Sequence, residues 1–329
     1  PMLDGAGMGE RLYRSVGAEP TSGLVDDLME SLGDRDIGLV IGAGGGSPID
    51  VAKAIAALLT NRGQVEDYLE GVGQGFKVEA EPVPTIAIPT TAGTGAEVTK
   101  NSVIANHEKG YKKSMRDEKM IPNVVIVDPD LHHSVPTTVT AACGMDAVTQ
   151  LIEPCISTRR TEATTALALG ILPFCHEALA RCCEAPDDTQ ARKTMARAST
   201  ISGVCLANSG LALAHGIASG MGAVVDVPHG LICGILLPHT LRWNRDACEA
   251  ELQAALSAFL NRDNTTIEDG IQAIEAMNAR IGVPADFKHL ELPEATWRRI
   301  AEKSMGSSMS GNPAPMTPKS TYDFLRPLT

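Results

Sequence analysis

The segment GAGGGSPIDVAK, Gly42 to Lys53, limits most tightly what this chain can fold into. The apolar stretch DIGLVIGAG that leads into it is short and ends in turn residues, as a buried strand does. Beyond the glycines, Ile49, Ala52, Ile55, Ala56 and Leu59 recur at helical spacing. Ser47 is the expected N-cap, Pro48 the first helical residue and Asp50 the capping-box acid. A strand, a glycine loop and a helix start, in that order, turn free backbone N–H groups and the positive end of a helix dipole toward an anion. The spacing is not that of G-x-G-x-x-G, and on its own it also suits a tight turn without a ligand.

A second segment adds to it. VPTIAIPTTAGTGAEVTKNSVI predicts a strand over Val83–Ile88 that opens into a loop of Thr90, Thr91, Gly93, Thr94 and Gly95. Hydroxyls and glycines at the carboxyl end of a strand suit a ligand in the crevice of an open α/β sheet. NVVIVDPDL, Asn123 to Leu131, predicts a further strand. The first part therefore reads as α/β, with a parallel sheet and crossover helices.

From about Pro136 the strand signals stop. Helical recurrence covers Thr137–Ser157, Glu162–Arg181, Thr189–Met221, Leu231–Trp243, Asp246–Asn261, Thr266–Ile281 and Ala295–Glu302. The expected organisation is an α/β nucleotide-binding domain, residues 1–135, followed by an all-helical domain, residues 136–329. The short join HHSVPTTVTAACG should pack them closely, with a cleft between.

A net charge of −12 and 3% aromatic residues argue against a nucleic-acid partner. The best apolar stretch, Leu211–Val227, is broken by His215, Ser219 and Asp226, so no membrane partner is expected. Eight scattered cysteines without C-x-x-C read as reduced thiols of a cytoplasmic protein, and the start carries no signal-peptide pattern.

Two places suggest a metal. GMDAVTQLIE sets Asp146 and Gln150 on one helix face, and small residues surround His215 in LALAHGIASGMG, with His229 following in VPHG. A carboxylate with two imidazoles suits Fe(II) or Zn(II). Each histidine alone is more often a core residue than a ligand, and local spacing does not bring Asp146 to either.

Taken in order, GGGSPIDVAK (44–53), PTTAGTGAEVT (89–99), VDP (127–129), GMDA (144–147), AHGIASGMGAVVDVPHG (214–230) and LLPH resemble the iron-containing (group III) alcohol dehydrogenases over nearly the whole chain. The resemblance implies a Rossmann-like domain followed by a helical metal domain. It also implies hydride transfer between NAD or NADP and a small primary alcohol or aldehyde, and a homodimer. Gly45, Gly46 and Ser47 would hold the pyrophosphate with Asp50 near the cofactor; Thr90, Thr91, Thr94, Asn101 and Lys112 would line its crevice. Asp146, His215 and His229 match metal ligands through which catalysis would run. Gln150 stands where the family usually has a fourth, histidine, ligand, and its neutral amide oxygen is the candidate fourth metal ligand here, weaker than imidazole; Ser219 stands where the family often has a histidine near the reacting centre. The family's N-terminal strand and helix find no counterpart ahead of the glycine loop, which leads to the expectation that an N-terminal portion or internal segments are missing and leaves NAD and NADP undistinguished.

Two rivals are weighed beside this reading. A same-fold enzyme acting on a phosphorylated or phosphonate substrate needs a basic pocket, and the metal-flanking segments contain no Lys or Arg. A metal-less cofactor-binding protein would account for Gln150 and Ser219 but not for three intact ligands.

Overall fold

The computed structural model describes residues 11–17, 19–263 and 265–329, so the first ten residues of the 1–135 assignment lie outside the described residues. In chain order the elements are α1 (Ser22–Leu32), β1 (Val40–Gly44), α2 (Gly46–Leu58), β2 (Thr85–Pro89), β3 (Asn101–Asn106), β4 (Tyr111–Arg116) and β5 (Val124–Val125). Helices follow: α3 (Thr137–Ile156), α4 (Glu162–Glu184), α5 (Thr189–Ser209), α6 (Leu213–Gly222), α7 (His229–Asn244), α8 (Glu249–Leu260), α9 (Ile267–Ile281), α10 (Glu294–Lys303) and α11 (Pro318–Leu325). The expected class, a parallel-sheet α/β part followed by helices, is the class observed.

Strands β1, β2 and β5 form a parallel sheet with β2 in the middle. The β1–β2 register ends with Gly44 opposite Pro89, so the glycine and threonine loops leave neighbouring strands at the same edge. Thr90 N–H donates to the Gly44 carbonyl at 2.7 Å and ties the two loops together. Of the strand predicted over Asn123–Leu131, only Val124 and Val125 pair, because Pro129 begins a 3-10 turn.

Three local expectations change. Helix α2 starts at Gly46 with Gly45 as N-cap, so Ser47 lies inside the first turn. Asp50 caps nothing there: its carboxylate accepts Val103 N–H at 3.0 Å and pairs with Lys53 at 2.9 Å. Helix α1 stands ahead of the glycine loop, where the sequence offered no counterpart, and begins with the Thr21 side chain accepting Leu24 N–H.

The antiparallel β3–β4 hairpin was also not foreseen. It turns through Gly110 at φ +64° and docks on α2 through Asp50. The predicted helix over Thr189–Met221 is two helices bent by 96°. Gly210, at φ +64°, breaks it. A helix passing Gly210 would need an α-region backbone, which this φ is not.

The helical half is built on one large core that includes Met145, Leu151, Ile152, Leu172, Leu179, Ile217, Leu236 and Phe259, all at most 1% exposed. Each such side chain contributes about 1.5–3 kcal/mol of burial, which is what holds so many short-range helices in one arrangement. A smaller core of Val25, Val51, Ile55, Leu58, Ile104 and Met115 lies between α1, α2 and the hairpin. Among the described residues α4, not Leu211–Val227, is long and apolar enough by composition to cross a membrane; it packs Leu172, Cys175 and Leu179 into the larger core.

Candidate metal centre and cofactor crevice

Helix α3 carries Asp146, Gln150 and Glu153 along one buried face, a 146/150/153 recurrence that keeps side chains stacked turn upon turn. Helix α7 crosses α3 closely because Gly230 and Gly234 have no side chains. A Cβ on Gly230 would collide with the Ala142 carbonyl, and one on Gly234 would sit 3.0 Å from Met145 Cβ. That approach brings His229, at the start of α7, to 3.9 Å from Asp146 Oδ1. The break at Gly210 starts α6 just before His215, whose Nε2 lies 3.1 Å from Asp146 Oδ1.

Donor atoms of Asp146, His215, His229 and Cys233 all lie within 4.8 Å of one another. Glu153 holds His215 from behind: its Oε2 is 2.7 Å from Nδ1, and the carboxylate accepts the N–H groups of Ala212 and Ala214. With Nδ1–H held by Glu153, Nε2 is the nitrogen turned to the cluster, and it would offer its lone pair once a cation displaced its proton.

The charges follow from this packing. Burial pushes the His229 imidazole down to about 4, with Lys112 and His215 acting in the same direction and Asp146 against it. Burial disfavours charge on His215 too, but Cys233, Glu153 and Asp146 outweigh it and raise its pKa well above the usual range. Burial would raise Asp146, yet the His215 hydrogen bond and the charges of His229 and His215 bring it below the ordinary carboxylate value. Buried carboxylates beside one shared imidazole call for a positive charge. Together with the nitrogen and sulfur donors, and with His229 Nδ1 and Gln150 Oε1 buried without hydrogen-bond partners, they fit a divalent cation.

The residues of the glycine and threonine loops gather separately, against the same helix. A Cβ on Gly45 would stand 3.2 Å from Thr91 Oγ1, and one on Gly46 2.9 Å from Thr94 Oγ1, so the two loops face each other across bare backbone. Gln150 Nε2 donates to the Gly93 carbonyl at 3.1 Å, which joins the threonine loop to α3 one turn from Asp146. Asn101 opens β3, and its carbonyl accepts from Lys53. Lys112 pairs with Glu19 beside Gly222 at the end of α6, on the side of His229.

Sequence reasoning missed Glu153, Cys233 and Lys53. Glu153 is on the Asp146 face of α3, and Cys233 is one turn beyond His229; helical spacing was the available signal for both. Lys53, 1% exposed, also donates to the Ala96 carbonyl at 2.9 Å and to Thr99 Oγ1 at 3.1 Å. It thus fastens the end of the threonine loop to α2.

Comparison with known proteins agrees with this geometry. Residues 2–129 match the family described as iron-containing alcohol dehydrogenase, and residues 140–328 the C-terminal part of the Fe-containing alcohol dehydrogenase family. The chain is 32% identical over 305 residues to alcohol dehydrogenase 4 of Saccharomyces cerevisiae (strain YJM789), covering 92% of this chain and 79% of that protein. It is 32% identical over 323 residues to lactaldehyde reductase of Escherichia coli (strain K12), covering 96% and 83%. Among solved structures, a 1,3-propanediol oxidoreductase superposes with a TM-score of 0.92 at 28% identity over 99% of this chain and 86% of that one. Sulfoacetaldehyde reductase of Bifidobacterium kashiwanohense, solved in complex with NAD+, gives 0.86 at 29% identity over 95% and 81%. The chain belongs to the iron-containing alcohol dehydrogenase family.

Proposed function

We propose that this chain interconverts small primary alcohols and aldehydes, using a nicotinamide cofactor in the crevice between the two loops and a divalent cation held by Asp146, His215 and His229. The observation that carries this is the shared helix: α3 bears Asp146 and, one turn on, Gln150 bonded to the threonine loop. Reacting carbon and cofactor would therefore meet along one rigid element, and such positioning contributes several kcal/mol to a rate. When bound, the nicotinamide supplies or accepts a hydride and the cation supplies Lewis-acid polarisation of the substrate oxygen.

The protein's own contributions are separate. Gly45, Gly46 and Ser47 present the first amides of the 13-residue α2 to the pyrophosphate, and Thr90, Thr91 and Thr94 line the crevice. Asp50 contributes from below, by holding the hairpin and Lys53 rather than by reaching the crevice. Asp146, His215 and Cys233 are buried at the reacting end, and the His229 side chain is 30% exposed. Ser219 is exposed on α6, so proton exchange runs through solvent or the cofactor ribose rather than through an imidazole at that position. Lys112 is matched by Glu19, which favours an uncharged substrate over a phosphorylated or phosphonate one. NAD or NADP, Fe(II) or Zn(II), and a cytoplasmic homodimer complete the reading.

Oxidation of reduced nicotinamide with a panel of small aldehydes tests it, on protein stripped by chelator and then reloaded. Activity should vanish on stripping and return with one cation. Activity that survives stripping would remove the cation's role, and cofactor binding without turnover in any state would leave a binding protein.

A further inference from the structure

The cluster contains one donor that the reading above does not use, the Cys233 thiol. Its surroundings set it apart from four of the five other buried cysteines. Cys155, Cys175, Cys205 and Cys248 each donate to a helix carbonyl, at 3.3–3.4 Å, as thiols in a core do. Cys233 Sγ instead lies within 4.8 Å of ligand atoms of Asp146, His215 and His229. It is fully buried, one turn along α7 from His229, so the two side chains share a face. The crossing of α7 over α3 at Gly230 and Gly234 presses that face onto Asp146.

Gln150 has its amide nitrogen committed to Gly93 and can turn only a neutral oxygen to a cation. A thiolate is much the stronger donor to a first-row divalent ion, and to Zn(II) above all. We propose that Cys233 is a ligand of this chain's cation, so that the site is built from Asp146, His215, His229 and Cys233. Ligation replaces the S–H bond by a sulfur–metal bond and releases one proton to the buffer, with no change of oxidation state. The proposal rests on the cation-dependent reading above, and the experiment separates the two.

X-ray absorption at the zinc edge of the zinc-loaded, unmodified protein should show one sulfur neighbour at about 2.3 Å beside lighter ones at about 2.0–2.2 Å. Loading with Co(II) should give a sulfur-to-cobalt charge-transfer band in the near ultraviolet. In Cys233→Ser that band should disappear while the visible cobalt bands persist. Cation bound at one per chain with only nitrogen and oxygen neighbours, or a charge-transfer band that survives Cys233→Ser, would overturn the assignment and leave the cation-dependent enzyme standing. Failure of the unmodified protein to bind either cation would overturn both. Should Cys233→Ser not fold, the zinc-edge spectrum of the unmodified protein decides, since Cys233 is the cysteine in the four-donor group among the described residues.

Discussion

Glu153 Oε2 lies 2.7 Å from His215 Nδ1, and the same carboxylate accepts two backbone N–H groups at the start of α6, from Ala212 at 3.0 Å and Ala214 at 2.7 Å. One buried side chain thus sets the place of the helix and the tautomer of the histidine it carries. Glu153→Gln keeps the shape and removes the charge. Loss of such a partner weakens cation binding about 10–100-fold. Competition against a chromogenic chelator measures this, and an unchanged affinity would show that His215 is oriented by something else.

At Gly230 helix α7 passes close over α3, and a methyl group there meets the Ala142 carbonyl. Backbone carbonyls do not yield as flexible side chains do, so Gly230→Ala should push α7 outward. The expected cost is about 1–3 kcal/mol, read from the urea midpoint, together with weaker retention of the cation as His229 and Cys233 move away from Asp146. A variant as stable and as metal-rich as the parent would mean that the helices slide past each other freely.

Lys53 and Asp50 form an ion pair with side chains 1% and 12% exposed. Lys53→Met would leave Asp50 without its counter-charge and take one donor each from the Ala96 and Asn101 carbonyls. Removing one partner of a buried pair costs about 3–5 kcal/mol. The double variant Lys53→Met, Asp50→Asn should recover part of that loss in chemical denaturation. Strict additivity of the two single changes would deny the coupling.

Glu97 is 2% exposed and accepts from Thr200 Oγ1 at 2.8 Å. Burial pushes its carboxyl above the ordinary range despite the Thr200 bond and the Lys53 charge. The folded chain thus keeps this proton to higher pH than the unfolded chain does. Below the unfolded value, about 4.3, there is no penalty; as pH rises past it the unfolded state ionises first and stability falls until the folded value is reached. Glu97→Gln should therefore gain on the parent as pH rises above about 4.3. Parallel stability curves for the two proteins would contradict this.

Much of this architecture was legible without coordinates because it is local. Glycines between an apolar run and a helical recurrence specify strand, loop and helix start wherever they occur, and the long Ala- and Leu-rich segments specify helices by period alone. The points that failed were those where local rules compete with contacts from afar. Asp50 had the spacing of a capping acid but found Val103 and Lys53; Thr189–Met221 had one period but breaks at Gly210, beyond which Glu153 receives the amides of a new helix. The β3–β4 hairpin, with Lys112 and Lys113 on its second strand, lacks the clean alternation that marks a half-buried strand.

By itself the sequence determined the strand, glycine loop and helix start, the threonine loop after a second strand, the helical character beyond Pro136, and the presence of Asp146, His215 and His229 as metal-ligand types, since composition and short-range period decide these. Only the tertiary structure decided that the carboxylate meets both imidazoles, that Glu153 stands behind one of them, and that a cysteine joins the group. Those meetings depend on how closely α7 can cross α3 and where α6 begins, distances set by the bare backbone of Gly230 and Gly234 and by the turn at Gly210, across separations in sequence that no local period reports.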